Sequence, residues 1–311
     1  MPKQQDIRTR YASAEISNAV FYVPFAYLYQ VRLGTPWKLL SWLLIYLVPC
    51  AFYGWLASPG NMPHWLFVFN LVSVAFAVIT IYELGYIFND TRAILREAQP
   101  AIRLYKNNFD YFALRRSLIV TARIIIASVF LTAFVKVNTD FGPADCFPRL
   151  MRTVDAVLLI VPVFAIYNYW RGKWNVLLYP VLLFSRYLPF LMPYDFSAAH
   201  ALLLFMCVPC LSAVERFSMP RHRFPLMRVI IPDEDAKTWF RVGYYCVVIL
   251  LLHMVMYFCP QFLNGVVPWA SEQSWMLCSA FALSPFYVLL AYRFAVAVFT
   301  RFVKPRNYLN G

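Results

Sequence analysis

Eight apolar segments, each about as long as a bilayer is thick, constrain this chain more than any other feature of its sequence. An α-helix needs about 20 apolar residues to cross roughly 30 Å of hydrocarbon, because it rises about 1.5 Å per residue. The segments occupy residues 38–57, 65–88, 117–135, 153–170, 174–192, 198–214, 239–259 and 273–292. The pattern predicts an all-α, polytopic integral membrane helical bundle.

Composition extends this prediction to the whole chain. Hydrophobic side chains make up 61% of the sequence and charged ones only 14%, which is too little polar surface for a soluble globule. We therefore expect a single membrane domain covering residues 1–311. A short ninth span from Tyr292 to Val303 is one way to extend the bundle, and an interfacial position for the segment AVFYVPFAYLYQV (residues 19–31) is another. The expected count is about eight to nine transmembrane helices.

The positive charge follows the loops between the predicted spans. The net charge is +13, and 23 of the 28 Lys and Arg residues fall on one side of the bundle, whereas Lys136, Arg149 and Arg152 fall on the other. By the positive-inside rule, both termini and both long loops are cytoplasmic, as in a bacterial inner membrane protein. Because orientation explains most of this charge, we expect the partners to be bilayer lipids and not nucleic acid.

Two long loops, residues 89–116 and 215–238, are the predicted functional segments. The other connections are short, and long connections in a compact bundle tend to carry function. Both loops mix acids with bases: Asp90, Glu97 and Asp110 with Arg92, Arg96, Arg103 and Lys106 in the first, and Glu215, Asp233, Glu234 and Asp235 with Arg216, Arg221, Arg223 and Arg228 in the second. Such loops are suited to holding a divalent ion through the acids and a polyphosphate through the bases.

The cysteine and histidine residues do not indicate a redox site or a metal site in addition to the two loops. Cys207 and Cys210 have the spacing of a redox motif, but they lie in a predicted membrane helix without a thioredoxin-like context. The four histidines show no spacing typical of a zinc or haem site.

The words YIFND, at the end of the second predicted span, resemble the first acidic motif of the UbiA superfamily of intramembrane transferases. That motif runs N-D-x-x-D-x-x-x-D, and here Asn89 and Asp90 are kept, Ala93 replaces the middle acid and Glu97 replaces the last. The family places its two motifs between helices two and three and between helices six and seven, where the two long loops fall. The second motif, D-x-x-x-D, is replaced here by VERFSMPRHRF.

The resemblance implies two alternative activities. Aromatic prenyltransferases of the family carry two intact acidic motifs that bind Mg²⁺ on a polyprenyl diphosphate. Another branch transfers phosphoribose from a diphosphate donor to a polyprenyl phosphate lipid, and its motif N-D-x-R-D is similar to the NDTR that contains Arg92. Arg103 and Tyr105 match the basic and aromatic positions that follow that motif, and Glu215–Phe217 matches part of the Lys-Arg-aromatic element in its second loop. We expect a transferase of the second kind or a relative using a related sugar-phosphate donor. A lipid transporter and a non-catalytic membrane subunit are further alternatives.

The resemblance also implies roles for named residues. Mg²⁺ is assigned to Asn89, Asp90 and Glu97, which would also be the catalytic group, and phosphate oxygens are assigned to Arg92, Arg103, Lys106, Arg216 and Arg221. The alternative without a function is that Asp90 and Glu97 are ordinary solvated residues at a helix end. For Asp233–Asp235 the corresponding alternative is an N-cap of the seventh span.

Two charges inside the predicted spans complete the candidate site. Glu83 and Arg123 are expected to face the bundle interior, because an uncompensated charge in hydrocarbon costs at least a few kcal/mol. A buried carboxylate must be paired, protonated or placed against a wet cavity, so both residues join the predicted substrate-binding set.

Overall fold

The structure is a computed structural model that describes residues 15–92, 102–142, 146–170, 175–218, 224–268 and 275–303. Within these ranges it is helical and contains no strand. The helices are α1 (Pro36–Ala57), α2 (His64–Thr91), α3 (Lys106–Phe141), α4 (Phe147–Tyr169), α5 (Asn175–Ser185), α6 (Ala198–Cys207), α7 (Pro209–Phe217), α8 (Pro225–Ile230), α9 (Glu234–Phe258), α10 (Pro260–Asn264), α11 (Trp275–Ala282) and α12 (Ser284–Val303).

Five of these helices, α1, α2, α3, α4 and α9, are long and apolar enough to cross a membrane. Two bent pairs, α6 with α7 and α11 with α12, bring the number of candidate spans to seven if each pair counts as one. The all-α prediction is therefore confirmed for the described residues, and the helices are consistent with a multi-pass integral membrane protein. The predicted count of eight to nine is not confirmed.

The difference in count lies mainly at residues 174–192. Helix α5 has only 11 residues and contains Pro180, and a 3₁₀ turn at Leu188–Phe190 follows it. Eleven residues rise about 16 Å, roughly half of the hydrocarbon thickness. The ninth span proposed at Tyr292–Val303 is the continuation of α12 and not a separate helix.

Helix ends also differ from the predicted ones, because a helix can continue beyond the apolar run that crosses the membrane. Helix α3 begins at Lys106, well before the apolar run that starts at residue 117, and its first turns carry the exposed Lys106 and Asp110 together with the buried Asn108 and Phe112. The first long loop is correspondingly shorter than predicted. Helix α9 begins after Asp233, whose side chain accepts a hydrogen bond from the backbone N–H of Ala236 at 2.7 Å. The N-cap interpretation of Asp233 is thus confirmed.

The chain forms two compact units. The first contains residues up to Leu43, Ser58–Arg171 and Val181–Asp195, and the second contains Leu44–Ala57, Gly172–Pro180 and the chain from Phe196 onward. In the first unit α2 is the central helix and packs against α3 and α4. Gly85 allows this approach to α4, since a Cβ at that position would overlap the ring of Phe164.

The segment before α1 is an irregular part of the first unit. A 3₁₀ turn at Asn18–Phe21 leads to Phe25, which has a positive φ of 75°, and a π-helix at Leu28–Leu33 ends at Gly34. Val20, Phe21 and Tyr27 of this segment are buried with residues of α2 and α3, including Ile87 and Phe112. We call residues 15–34 the N-terminal segment.

Broken helices characterise the second unit. Helix α6 ends at Cys207 and α7 begins at Pro209 at an angle of 45°, while α11 and α12 meet at 60°. Proline cannot donate the N–H that would continue the helix, so backbone carbonyls near the break need other donors. The hydroxyls of Tyr244 and Tyr245 on α9 donate to the carbonyls of Met206 and Cys207, at 2.6 and 2.8 Å.

Candidate functional site

Asp90 lies in the last turn of α2, and both of its carboxylate oxygens accept hydrogen bonds. Oδ1 accepts from Nη2 of Arg32 at 2.7 Å, from Nη1 of Arg103 at 3.1 Å and from Nδ2 of Asn89 at 3.3 Å. Oδ2 accepts from the Tyr27 hydroxyl at 3.0 Å. We call these five residues the Asp90 site.

Three separate stretches of the first unit bring the Asp90 site together. Asn89 and Asp90 come from the end of α2, Arg103 comes from the connection to α3, and Tyr27 and Arg32 come from the N-terminal segment. Tyr27 precedes the π-helix and Arg32 lies within it, so the wide turn carries both donors to the same carboxylate. Short π-helical turns occur frequently at functional sites.

The Asp90 site has more positive than negative charge. Two guanidinium groups face one carboxylate, so one positive charge remains among these five residues. Exposure increases outward: the side chain of Asp90 is 0% exposed, that of Arg32 is 18% exposed and that of Arg103 is 39% exposed. The carboxylate therefore lies at the buried end of the site. The two guanidinium groups lie at its exposed end, where an anion can reach them.

Arg32 is the most constrained cation in the site. Its guanidinium carbon lies 4.3 Å from the centre of the Tyr86 ring, at cation–π distance. Its Nε is buried and has no hydrogen-bond partner among the described residues. A buried N–H without an acceptor costs about 1–3 kcal/mol. A ligand oxygen placed beside Arg32 would remove this cost.

Tyr27 holds the buried side of the carboxylate. Burial raises the pKa of its hydroxyl well above the ordinary value, and the negative charge of Asp90 raises it further. The hydroxyl consequently stays protonated and remains a donor to Oδ2 at any physiological pH.

Among the described residues, Asp90 is the one carboxylate that this site offers a Mg²⁺ ion. Mg²⁺ needs free carboxylate or carbonyl oxygens in near-octahedral geometry, whereas both oxygens of Asp90 already accept from cationic or hydroxyl donors. Across the described ranges, no group of three or more His, Cys, Asp or Glu residues is suited to a metal. Glu97, assigned to the ion by the resemblance, lies outside the described residues. The magnesium ion stays a prediction.

Glu83 and Arg123 form a second, fully buried cluster in the first unit. Their side chains are 1% and 0% exposed and form an ion pair, which confirms that both face the interior. Glu83 also accepts from the backbone N–H groups of Phe25 and Leu28, at 3.0 and 2.6 Å. Arg123 donates to the carbonyls of Val20, Phe21 and Val23. The pair therefore fastens the N-terminal segment to α2 and α3, which positions Tyr27 and Arg32.

The other predicted phosphate-binding residues are not in the Asp90 site. Arg92 and Lys106 are exposed at the end of α2 and the start of α3. Arg216, in the second unit, lies over the ring of Tyr179 at 4.5 Å. Arg221 lies outside the described residues. Of the predicted set, the structure brings Asn89, Asp90 and Arg103 together.

Sequence reasoning missed Tyr27, Arg32 and Tyr86 as members or neighbours of the site. By its position in the sequence Arg32 is one of the basic residues that orient the chain, and Tyr27 lies in a short aromatic segment for which the sequence suggests an interfacial position. Asp90 contacts Arg32 across 58 residues of sequence, which no local spacing can indicate. The one available signal was an arginine directly after an apolar run too short to span a membrane.

Comparisons with protein-family models, curated proteins and solved structures give no match for this chain.

Proposed function

We propose that the chain binds the phosphate group of a phosphorylated isoprenoid lipid at the Asp90 site, and that it acts there as a UbiA-like membrane transferase. The observation that supports the binding step best is Arg32, a half-enclosed guanidinium whose buried Nε lacks an acceptor. Arg32 and Arg103 together leave one positive charge uncompensated over a buried carboxylate. A phosphate supplies both the missing acceptor and the missing negative charge.

The chemistry of arginine favours phosphate over other anions. A guanidinium presents several N–H donors in one plane, and two of them match the spacing of two phosphate oxygens. Asp90 accepts a hydrogen bond from one edge of the Arg32 guanidinium, and the Tyr86 ring contacts its face. The other N–H donors of Arg32 are therefore oriented before a ligand binds. Preorganisation of this kind lowers the entropy cost of binding.

Transfer, the second part of the proposal, depends on the NDTR resemblance. In such a reaction the bond between the donor carbon and a diphosphate oxygen breaks, diphosphate leaves with the electron pair, and an oxygen of the lipid phosphate forms the new bond. The guanidinium groups of Arg32 and Arg103 would stabilise phosphate charge during this exchange. The finer parts of the resemblance, a UbiA-like arrangement with eight or nine spans and cytoplasmic termini, belong to the same proposal. An aromatic prenyltransferase is its alternative.

A non-catalytic lipid-binding subunit or lipid transporter is the second candidate function. The full occupation of Asp90 by donors favours it, because a carboxylate held by two arginines and a tyrosine resembles a structural ion pair as much as a catalytic group. The two candidates share the phosphate-binding step and differ in whether a donor is consumed.

A binding and turnover assay on the purified full chain tests the proposal. The protein in nanodiscs is incubated with radiolabelled polyprenyl phosphate, with and without phosphoribosyl diphosphate and Mg²⁺, and bound and converted lipid are measured separately. Arg32→Gln and Arg103→Gln should each weaken lipid binding by roughly tenfold, as loss of one charged hydrogen bond implies. Arg152→Gln, an exposed arginine on α4, is the matched control.

The outcomes separate the candidates. Binding with conversion supports the transferase, and binding without conversion by any diphosphate donor supports the lipid-binding subunit. If Arg32→Gln and Arg103→Gln bind the lipid as tightly as Arg152→Gln does, the Asp90 site is not the phosphate site and the proposal fails.

A further inference from the structure

We propose that the second unit contains its own phosphate-binding site, formed by Arg241 on α9 and Arg293 on α12 beside Glu215 on α7. The inference is independent of the Asp90 site, since all three residues belong to the second unit. The resemblance assigns no role to Arg241 or Arg293.

Glu215 and Arg241 form a bidentate ion pair. Nε of Arg241 donates to Oε1 of Glu215 at 2.6 Å, and Nη2 donates to Oε2 at 2.9 Å. The two side chains are 13% and 22% exposed. Both carboxylate oxygens are thus engaged by one guanidinium, and Glu215 has no free oxygen to offer a second cation in the same manner.

Arg293 is the second arginine of the site, and the Glu215 carboxylate is bonded to Arg241 and not to it. Arg293 is half-buried on the side of α12 that packs against α9, where Phe286, two turns before it, contacts Tyr245, one turn after Arg241, with ring centres 6.3 Å apart. It is close enough to Arg241 and Glu215 to interact electrostatically with both. Its Nε is buried without a hydrogen-bond partner, and no carboxylate in the described part of the chain forms an ion pair with it. Its guanidinium lies 5.3 Å from the ring of the adjacent Tyr292. The three charged groups sum to one unit of positive charge.

Arg123 is an arginine whose charge and hydrogen-bond donors are compensated within the protein. Its guanidinium is compensated by the carboxylate of Glu83, and three backbone carbonyls accept its remaining donors. Arg293 has no comparable set of acceptors among the described residues. A buried N–H without an acceptor is costly, and charged side chains inside membrane helices generally mark a ligand site.

Phosphate is the ligand chemistry that suits the position. Arg293 offers its planar guanidinium donors to a small anion, and the charge of Arg241 on the neighbouring helix adds to the attraction, as is common in phosphate recognition. Trp239 of α9 lies against Phe294 of α12, with ring centres 6.3 Å apart, so aromatic contacts fix the two helices that carry the arginines. The phosphate can come from a lipid head group or from a soluble phosphate compound.

The test is a thermal-stability titration of the full chain carrying both Arg32→Gln and Arg103→Gln, which take both guanidinium groups out of the Asp90 site. In phosphatidylcholine nanodiscs, inorganic phosphate and diphosphate are titrated, and in a second arm the phosphatidylglycerol fraction is raised with no added phosphate. A ligand that binds only the folded state raises the melting temperature with its concentration. A rise in melting temperature with added phosphate or diphosphate indicates that the ligand is a soluble phosphate. A rise with the phosphatidylglycerol fraction indicates that it is a lipid head group.

Arg293→Gln should weaken the response in the responding arm by roughly tenfold or more in apparent affinity. Arg301→Gln is the matched control, since Arg301 is an exposed arginine on the same helix. Arg293→Lys keeps the charge and is measured in parallel; it should fold and bind more weakly than the parent, so it decides the question if Arg293→Gln does not fold. No response in either arm, or responses of the Arg293 variants equal to that of Arg301→Gln, would overturn the proposal.

Discussion

The carboxylate of Glu83 on α2 and the guanidinium of Arg123 on α3 form an ion pair that is almost completely excluded from solvent. Around it, two backbone N–H groups and three backbone carbonyls of the N-terminal segment complete the hydrogen bonding. The pair therefore acts on the Asp90 site from a distance of two helical turns, by fixing the segment that supplies Tyr27 and Arg32.

Removing one partner of this pair should destabilise the protein strongly. We expect Arg123→Met to lower the free energy of unfolding by about 3–5 kcal/mol, because it leaves a buried carboxylate without its counter-ion. Thermal or denaturant unfolding in detergent measures the change, and Lys136→Met, at an exposed ion pair with Asp140, is the control.

The double variant Glu83→Leu/Arg123→Met gives a sharper result. Replacing a buried ion pair by apolar residues often leaves the free energy of unfolding unchanged. Here it would also leave two backbone N–H groups and three backbone carbonyls of the N-terminal segment without their hydrogen-bond partners. We expect the double variant to remain destabilised and the segment to become sensitive to protease. A double variant as stable as the parent would mean that the pair does not hold the segment.

Asp90→Asn separates the metal interpretation from the arginine interpretation of the site. An amide keeps the shape of the carboxylate but removes its charge, so the excess at the Asp90 site rises from one positive charge to two. We expect phosphate binding to persist and any transfer to fall, because a neutral amide oxygen is a weaker acceptor for the guanidinium groups that the carboxylate orients. Binding is measured with and without EDTA. Binding that EDTA abolishes in the parent and that Asp90→Asn lacks would favour a Mg²⁺ ligand instead.

Ala93→Asp is the complementary change, because it restores the middle acid of the family motif. If the site binds a diphosphate through Mg²⁺, this variant should show a steeper dependence of transfer on Mg²⁺ concentration than the parent. If the arginines bind phosphate without a metal, the dependence should be unchanged. Turnover of labelled lipid over a range of Mg²⁺ concentrations measures it.

Gly85→Ala should be destabilising although alanine is the better helix former. Its Cβ would overlap the Phe164 ring, and overpacking of this kind costs about 1–3 kcal/mol. Gly243→Ala on α9 is the control, since a Cβ there meets no atom within 4 Å and should be neutral or stabilising. Comparable melting temperatures for the two variants would show that α2 and α4 are less closely packed than described.

Tyr245→Phe tests how the broken helix in the second unit is maintained. The change removes the hydroxyl that donates to the Cys207 carbonyl, and a buried unsatisfied carbonyl costs about 1–3 kcal/mol. Tyr257→Phe, on an exposed side chain of the same helix, should change the unfolding free energy little. Equal effects of the two substitutions would indicate that another donor satisfies Cys207.

Orientation in the membrane stays a prediction from the charge distribution. A reporter fused after Asn107 or after Arg228 should be cytoplasmic, and one fused near Pro143 or Asn264 should be external, because the basic loops remain on the cytoplasmic side. Enzymatic reporters that are active on only one side of the membrane measure this. A cytoplasmic signal at Pro143 would contradict the whole assignment.

The sequence by itself determined the helical class, the apolar helices that can span a membrane, and the N-cap at Asp233. These features depend on local periods and on the transfer of apolar side chains from water, which are properties of short stretches of chain. It also indicated that Glu83 and Arg123 face inward, since the cost of a bare charge in hydrocarbon leaves little choice.

Tertiary structure decided what those charges contact. Glu83 is paired with Arg123 from 40 residues away, and Asp90 with Arg32 from 58 residues away, so neither partner follows from spacing along one helix. The same holds for α5, whose end at Ser185 hydropathy did not predict. Hydropathy reports the free energy of each residue in lipid or water, whereas ion pairs, helix breaks and the path of the N-terminal segment depend on which backbone and side-chain donors meet in three dimensions.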